Sequence, residues 1–302
     1  AIAVRRFRYM WPERWEVLAY GAGGLINMRA PGRKLLALPF VVAEILAVRA
    51  ALRRSKPDIV HAHWLLPQGF AAAIAVAGAK VPLVTTIHGG DVFGLRSAIF
   101  RPFKRLAVRR ADAVTVNGTA TLSSAIALGA DPGRTQTIRF APGFEGEVTQ
   151  TNVSGWRSRY PADGTIVLFV GRLVPEKGAA DFIAALARAA NKKLFGVICG
   201  DGPMRSELQA LVRDHGLQER VAFEGWLQPD EVACRMAGAD VLLFPSKKSP
   251  EGWVEAQGVV LVEAMRRGLP ILAARSGGIP DLIEDGRTGW LFPEGDVDAM
   301  AG

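Results

Sequence analysis

The sequence predicts an α/β protein made of two parallel-sheet domains. Three observations carry that expectation. Short apolar, β-rich runs alternate with helix-like segments along nearly the whole chain, a spacing that implies parallel strands with helices on both faces. The alternation breaks once, between Ala141 and Gly164. The glycine-bearing and charged motifs fall repeatedly just after the apolar runs, where open parallel sheets bind ligands. At 302 residues the chain is long enough for two hydrophobic cores.

The first series of expected strands is Trp15–Tyr20, Asp58–His63, Leu83–Ile87, Ala113–Val116 and Gln136–Phe140. Helical patterns occupy Gly69–Ala79, Ala98–Arg110 and Thr119–Leu128. The apolar stretch Leu35–Leu52 is interrupted by Pro39, Glu44 and Arg49, which predicts an amphipathic helix; a bilayer span needs about 20 largely apolar residues. A polar, turn-rich segment around Pro142-Gly143 and Thr149–Pro161 reads as the inter-domain connection. The domains expected are 1–145, a linker region 146–164, and 165–302. The second series is Ile166–Val170, Phe195–Cys199, Val221–Phe223, Val241–Phe244 and Ile271–Ala274, with helices at Ala179–Ala190, Met204–His215 and Val259–Arg267.

Composition narrows the function classes. Two separated cysteines, Cys199 and Cys234, form no Cys-x-x-Cys pair, which argues against a disulfide framework or a structural zinc. A net charge of +8 suits anionic partners such as nucleotide diphosphates or acidic membrane, or an arginine-rich source. No zinc finger, aromatic RNA-binding pattern or helix-turn-helix signals nucleic acid. No Gly-x4-Gly-Lys-Ser/Thr phosphate loop is present. Gly200-Asp201-Gly202 lacks the third glycine of a dinucleotide fingerprint, and Gly21-Ala22-Gly23-Gly24 does not replace it.

Four strand-end motifs carry the chemistry. They are His88-Gly89-Gly90-Asp91, the segment from Gly171 to Gly178, Gly200-Asp201-Gly202-Pro203, and Pro245-Ser246. Arg172 and Lys177 flank a turn leading into the helix near Ala179, and two cations at a helix N-terminus suit a diphosphate. They would also stabilise charge building on a departing diphosphate. Glu255 lies in a polar loop with Gly252. Glu263 lies in the first turns of the helix expected at Val259–Arg267, among apolar neighbours, which predicts partial burial. A carboxylate can accept from two vicinal hydroxyls, as in ribose or hexose.

Gly252, Glu263-Ala264-Met265, Gly268-Leu269-Pro270, Gly277-Gly278-Ile279-Pro280, Asp285-Gly286 and Gly289 follow in order. With Val170-Gly171-Arg172-Leu173, Lys177-Gly178 and Gly200-Asp201-Gly202-Pro203, this set closely resembles the donor half of glycosyltransferase family 4 over residues 165–293. His61-Ala62-His63 and Thr86-Ile87-His88-Gly89 resemble the family's acceptor half over residues 57–130. The resemblance implies a GT-B fold: two Rossmann-like domains with parallel sheets facing across a cleft. It implies a retaining transfer from a nucleotide-diphosphate sugar to a saccharide, lipid or small-molecule acceptor. Neither cofactor nor metal is expected. Arg172 and Lys177 are implied on the diphosphate, Glu263 on the nucleotide ribose and Glu255 on the sugar hydroxyls. Gly200, Gly202, Val259, Gly277 and Gly278 are implied along the donor, and His88 on the transferred sugar.

The sequence departs from the family in three places. The glycine-rich loop after the first strand is missing, Phe140-Ala141-Pro142-Gly143-Phe144 replaces a Pro-Asn-Gly-Val turn, and the chain stops soon after Phe292-Pro293. The first and third lead to the expectation that both domains continue in a longer protein. A non-catalytic nucleotide-sugar-binding paralogue is the alternative reading. His61 and His63 read first as structural, Asp91 as a helix cap or a group on the acceptor hydroxyl, and Asp201 as a turn former. Trp226 is weighed as a neighbour of the base. Arg96, Arg101, Lys104, Arg105, Arg109 and Arg110 gather around one helix, read as solvated, with docking to anionic membrane as the alternative. The expected setting is cytoplasmic, with peripheral contact at the inner face of the membrane as the alternative.

Overall fold

The computed structural model describes residues 3–18, 32–141, 148–250 and 252–302. The expectations resting on Gly21–Gly24, Pro142-Gly143 and Phe144 lie outside them. The chain divides into two compact units, Ala1–Val116 with Thr121–Ile138, and Asn117–Ala120 with Arg139–Gly302.

The first unit holds a parallel sheet of β1 (Val60–His63), β2 (Leu83–Thr86), β3 (Ala113–Val116) and β4 (Thr135–Thr137), in that spatial order. Its helices are α1 (Ala37–Ser55), α2 (Phe70–Ala75), α3 (Arg101–Arg110) and α4 (Thr119–Leu128). Ile87, Val114, Val116, Ala107 and Ala125 form one buried cluster, and Leu83 packs with Ala72 and Ala73 in another.

Two strand expectations change here, for local reasons: Trp15–Tyr20 forms no strand over its described part, Ala19 and Tyr20 lying outside the described residues, and Gln136–Phe140 is shortened. Trp15 closes a 3-10 turn, Glu13–Trp15, and residues 16–18 join no ladder. The buried Glu16 carboxylate instead accepts from Tyr9 N at 2.7 Å and Met10 N at 3.2 Å, while Leu18 N donates to the Tyr9 hydroxyl at 2.7 Å. Side chains therefore satisfy backbone groups that a strand would have used. At Gln136–Phe140 the ladder keeps only Thr135–Thr137, and the Phe140 backbone bonds to a side chain described below.

The second unit has six parallel strands in the order β10-β9-β8-β5-β6-β7. They are β5 (Thr165–Val170), β6 (Leu194–Cys199), β7 (Val221–Gly225), β8 (Val241–Phe244), β9 (Ile271–Ala274) and β10 (Trp290–Phe292). The helices are α5 (Gln150–Arg157), α6 (Ala179–Arg188), α7 (Arg205–Asp214), α8 (Pro229–Gly238), α9 (Val259–Arg266) and α10 (Val297–Ala301).

Alternate strand residues feed opposite cores, because side chains in a strand point to alternate faces. Val167, Phe169, Ile198 and Leu243 pack with Phe182 and Ile183 of α6, Leu208 of α7 and Met300 of α10. Ile166, Leu168, Val197 and Leu242 pack with Trp156 of α5, Cys234 and Met236 of α8, and Leu261 of α9. Helix α5 lies inside the segment read from sequence as a polar connection. Its buried Trp156 ring and the Nε1 bond to Glu224, at 2.8 Å, explain how eight mostly polar residues hold a helix.

Candidate functional site

Parallel topology brings the loops after β5, β6, β8 and β9 to one end of the second sheet. Backbone contacts lock these loops together. Gly171 N donates to Cys199 O, Leu173 N to Asp201 O and Lys247 N to Glu176 O, at 3.0, 2.9 and 2.9 Å. The chain needs glycine where loops touch. A Cβ on Gly178 would collide with the Pro245 carbonyl oxygen, one on Gly200 with that of Gly171, and one on Gly202 with that of Leu173. Gly178 also adopts φ +75°, so its turn is closed to side chains on two counts.

Lys177 ends the 3-10 turn Pro175–Lys177, immediately before Gly178 and α6. Its Nζ donates to Glu255 Oε2 in an ion pair. The ammonium also lies 5.1 Å from the Trp253 ring centre and 5.7 Å from that of Phe244. Only 16% of the Lys177 side chain and 10% of that of Glu255 are exposed, so the pair is largely withdrawn from water.

The Glu255 loop is pinned on two sides. Gly278 N donates to Glu255 O at 2.8 Å, and Cβ atoms on Gly277 or Gly278 would strike the carbonyls of Glu255 and Ala256. Gln257, 2% exposed, grips Phe140 with both ends of its amide. Oε1 accepts from Phe140 N and Nε2 donates to Phe140 O, each at 2.8 Å. Sequence reasoning passed over Gln257, Trp253 and Phe244. The available signal was a lone amide inside an apolar stretch, since a buried amide has to find partners.

Arg172, Gly200, Gly202, Gly277 and Gly278 lie in the loops that follow β5, β6 and β9. Arg172 is exposed, two residues past β5; Val259 is the first residue of α9; Glu263 is half-buried in that helix. Asp201 shapes its turn by accepting from Gly202 N at 2.7 Å. Trp226 is 73% exposed. A cavity of about 480 Å³ opens beside β7, lined by Arg159, Tyr160, Glu224 and Arg235 among others. Glu224 is bound there by Trp156, Arg159 and Arg235, so this ion cluster is internally satisfied.

In the first unit, His88 follows β2 and meets two further histidines at the end of β1. His63 Nδ1 and His88 Nε2 are 2.8 Å apart, and the His61 and His63 rings lie 4.3 Å centre to centre. His61 Nε2 reaches Thr86 Oγ1 at 2.6 Å, and that hydroxyl reaches Thr115 Oγ1 at 2.6 Å. Burial first, then the neighbouring His63 and His61, push the His88 pKa down to about 4. The imidazole is therefore neutral at physiological pH.

Asp91 is fully buried and accepts from Leu65 N at 2.8 Å and His88 N at 3.1 Å. It fastens the His88 loop. Lys104, counted from sequence in the basic cluster, is 4% exposed and donates to Val92 O at 3.3 Å. Its charge supports Asp91 rather than facing solvent. Among the described residues no cluster of His, Cys, Asp or Glu could hold a metal ion, and no helix is long and apolar enough to cross a membrane.

The family described as "Glycosyl transferases group 1" matches residues 155–302, and the "Glycosyl transferase 4-like domain" matches residues 4–141. A 2-deoxystreptamine glucosyltransferase from Streptomyces kanamyceticus is 33% identical over 83% of this chain and 68% of its own length. The chain belongs to the group 1 glycosyltransferases. The sulfoquinovosyl transferase of Arabidopsis thaliana is 30% identical over 92% of the chain and 55% of that protein, so this chain spans little more than half of that relative. Solved structures share the fold. Anabaena HepE in complex with UDP and glucose matches with a TM-score of 0.73 at 26% identity, covering 87% of this chain and 70% of that one. The expected α/β, GT-B class with two parallel sheets stands.

Proposed function

We propose that this group 1 glycosyltransferase moves a sugar from a nucleotide-diphosphate sugar to a saccharide, lipid or small-molecule acceptor, with retention at the anomeric carbon and without a metal ion. The observation that carries the reading is the Lys177–Glu255 pair, which sits at the strand-end loops of the second sheet. A cation beside a carboxylate suits a ligand that carries a diphosphate next to sugar hydroxyls.

In this reading Arg172 and Lys177 hold the diphosphate and take up the charge that grows on it as the bond from anomeric carbon to phosphate oxygen breaks. Glu255 accepts hydrogen bonds from the sugar, and Glu263 from the ribose. Gly200, Gly202, Gly277 and Gly278 let the loops pack tightly beside the donor, and Val259 faces it from the start of α9. The acceptor oxygen attacks the face the diphosphate is leaving, and its proton passes to the leaving phosphate oxygen. His88, neutral because its pKa is near 4, suits a hydroxyl of the transferred sugar better than a phosphate. The UDP complexes of Anabaena HepE support a nucleotide-linked donor.

The setting we propose is cytoplasmic. Contact with anionic membrane would rest on Arg101, Arg109 and Arg110, the exposed cations of α3. The test is a panel of UDP-, GDP- and ADP-sugars with saccharide and lipid acceptors, run with and without EDTA, with product anomers assigned by NMR. Inverted product, or activity abolished by chelation and restored by a divalent ion, would overturn the proposal.

A further inference from the structure

Lys177 has one positive charge, and Glu255 already holds it. We propose that Glu255 and the donor's diphosphate compete for Lys177, so that the site favours an intact nucleotide sugar over the nucleoside diphosphate left after transfer. The inference rests on the donor-site reading above and deepens it.

The two partners differ in freedom. Glu255 sits on a loop held by the Gly278 N–H, by the close approach of Gly277 and Gly278, and by the Gln257 clamp on Phe140. It cannot follow Lys177 far. Lys177 carries its ammonium on a four-carbon stem, near the Trp253 and Phe244 rings. It is the member that moves.

A phosphate that draws Lys177 away strips Glu255 of its partner. The carboxylate then stands largely buried and unpaired beside a polyanion, a costly arrangement. Sugar hydroxyls remove that cost, because they donate to the oxygens that Lys177 releases. A nucleoside diphosphate has no such hydroxyls to offer. Once the sugar has gone to the acceptor, Glu255 recaptures Lys177 and weakens the hold on the diphosphate. The same pair thus serves donor capture and product release.

The experiment is calorimetric binding of UDP and UDP-glucose, with GDP/GDP-mannose and ADP/ADP-glucose in parallel, to the wild type, Glu255→Gln, Lys177→Met and the double variant. Glu255→Ala serves where Glu255→Gln does not fold. The wild type should bind the sugar nucleotide more tightly than the diphosphate. Glu255→Gln should bind the diphosphate about tenfold more tightly than the wild type does and lose most of the preference for the sugar. In the Lys177→Met background the same change should give a much smaller gain. An equal gain in both backgrounds would mean simple repulsion by Glu255 and would overturn the inference. A diphosphate bound no more tightly by Glu255→Gln and Glu255→Ala, in a wild type that binds the donor, also overturns it and leaves the donor reading intact. A wild type that binds none of the six ligands removes that reading itself.

Discussion

Lys177 and Glu255 form a largely buried ion pair in the second unit, and His63 and His88 meet in the first. Lys177→Met strips the largely buried Glu255 of its ion-pair partner, so its thermal stability is read beside that of Lys177→Met/Glu255→Gln, which removes both charges. Lys177→Met should cost about 2–4 kcal/mol of transition-state stabilisation, the worth of one charge-assisted contact to a phosphate. Initial rates under limiting donor would show it as a fall in kcat/KM of about 30- to 1,000-fold, and an unchanged kcat/KM would refute the assigned role. His88 gives a pH prediction. Its folded pKa is near 4, against 6.5 ordinarily. Between those values the unfolded chain takes up a proton that the folded protein refuses, so stability falls as pH drops from about 6.5 to about 4. His63→Ala should raise the His88 pKa without restoring 6.5, because burial is the larger cause and His61 remains. Imidazole NMR titration would read both values; an unmoved His88 would show that His63 does not set it.

At the level of elements, the strand-end loops are built by close approach. Gly178→Ala combines φ +75° with a collision against Pro245 O. It should destabilise the protein by about 2–4 kcal/mol. Gly216→Ala, at φ +63° with open space around it, should cost only about 1–2 kcal/mol. Urea denaturation of the pair separates strain from collision, and equal losses would discard the packing argument. Gln257→Ala leaves the Phe140 N–H and C=O without the bonds they now make. A loss of about 1–3 kcal/mol is expected. A variant as stable as wild type would show that water replaces the clamp.

For the whole molecule, the two units carry separate sheets and cores. A donor bound mainly by the second unit should slow hydrogen exchange first in the loops after β5, β8 and β9. At a hundredfold excess over Kd it should add about 2.7 kcal/mol of stability. Exchange mapped by mass spectrometry with a nucleotide sugar checks this. Protection confined to residues of the first sheet would contradict the assignment of the donor to the second.

The sequence by itself determined the fold class and most of the second sheet. Val241–Phe244 and Ile271–Ala274 are continuous apolar runs bounded by turn residues, and a parallel strand covered on both faces has that pattern. It also supplied Arg172, Lys177, Glu255 and Glu263 as candidates, through motif order. It misread Trp15–Leu18, where Glu16 and Tyr9 satisfy the backbone by contacts that periodicity does not encode. It passed over α5, whose stability depends on Trp156 reaching Glu224, 68 residues away. It overlooked β10, only three residues long and held by β9. The tertiary structure alone decided that Lys177 and Glu255, 78 residues apart, are partners, that Gln257 clamps Phe140, and that Lys104 turns inward toward Asp91. Local sequence sets backbone preference and the apolar pattern. Which charges share a low-dielectric site depends on where distant loops converge, and only the assembled sheet fixes that.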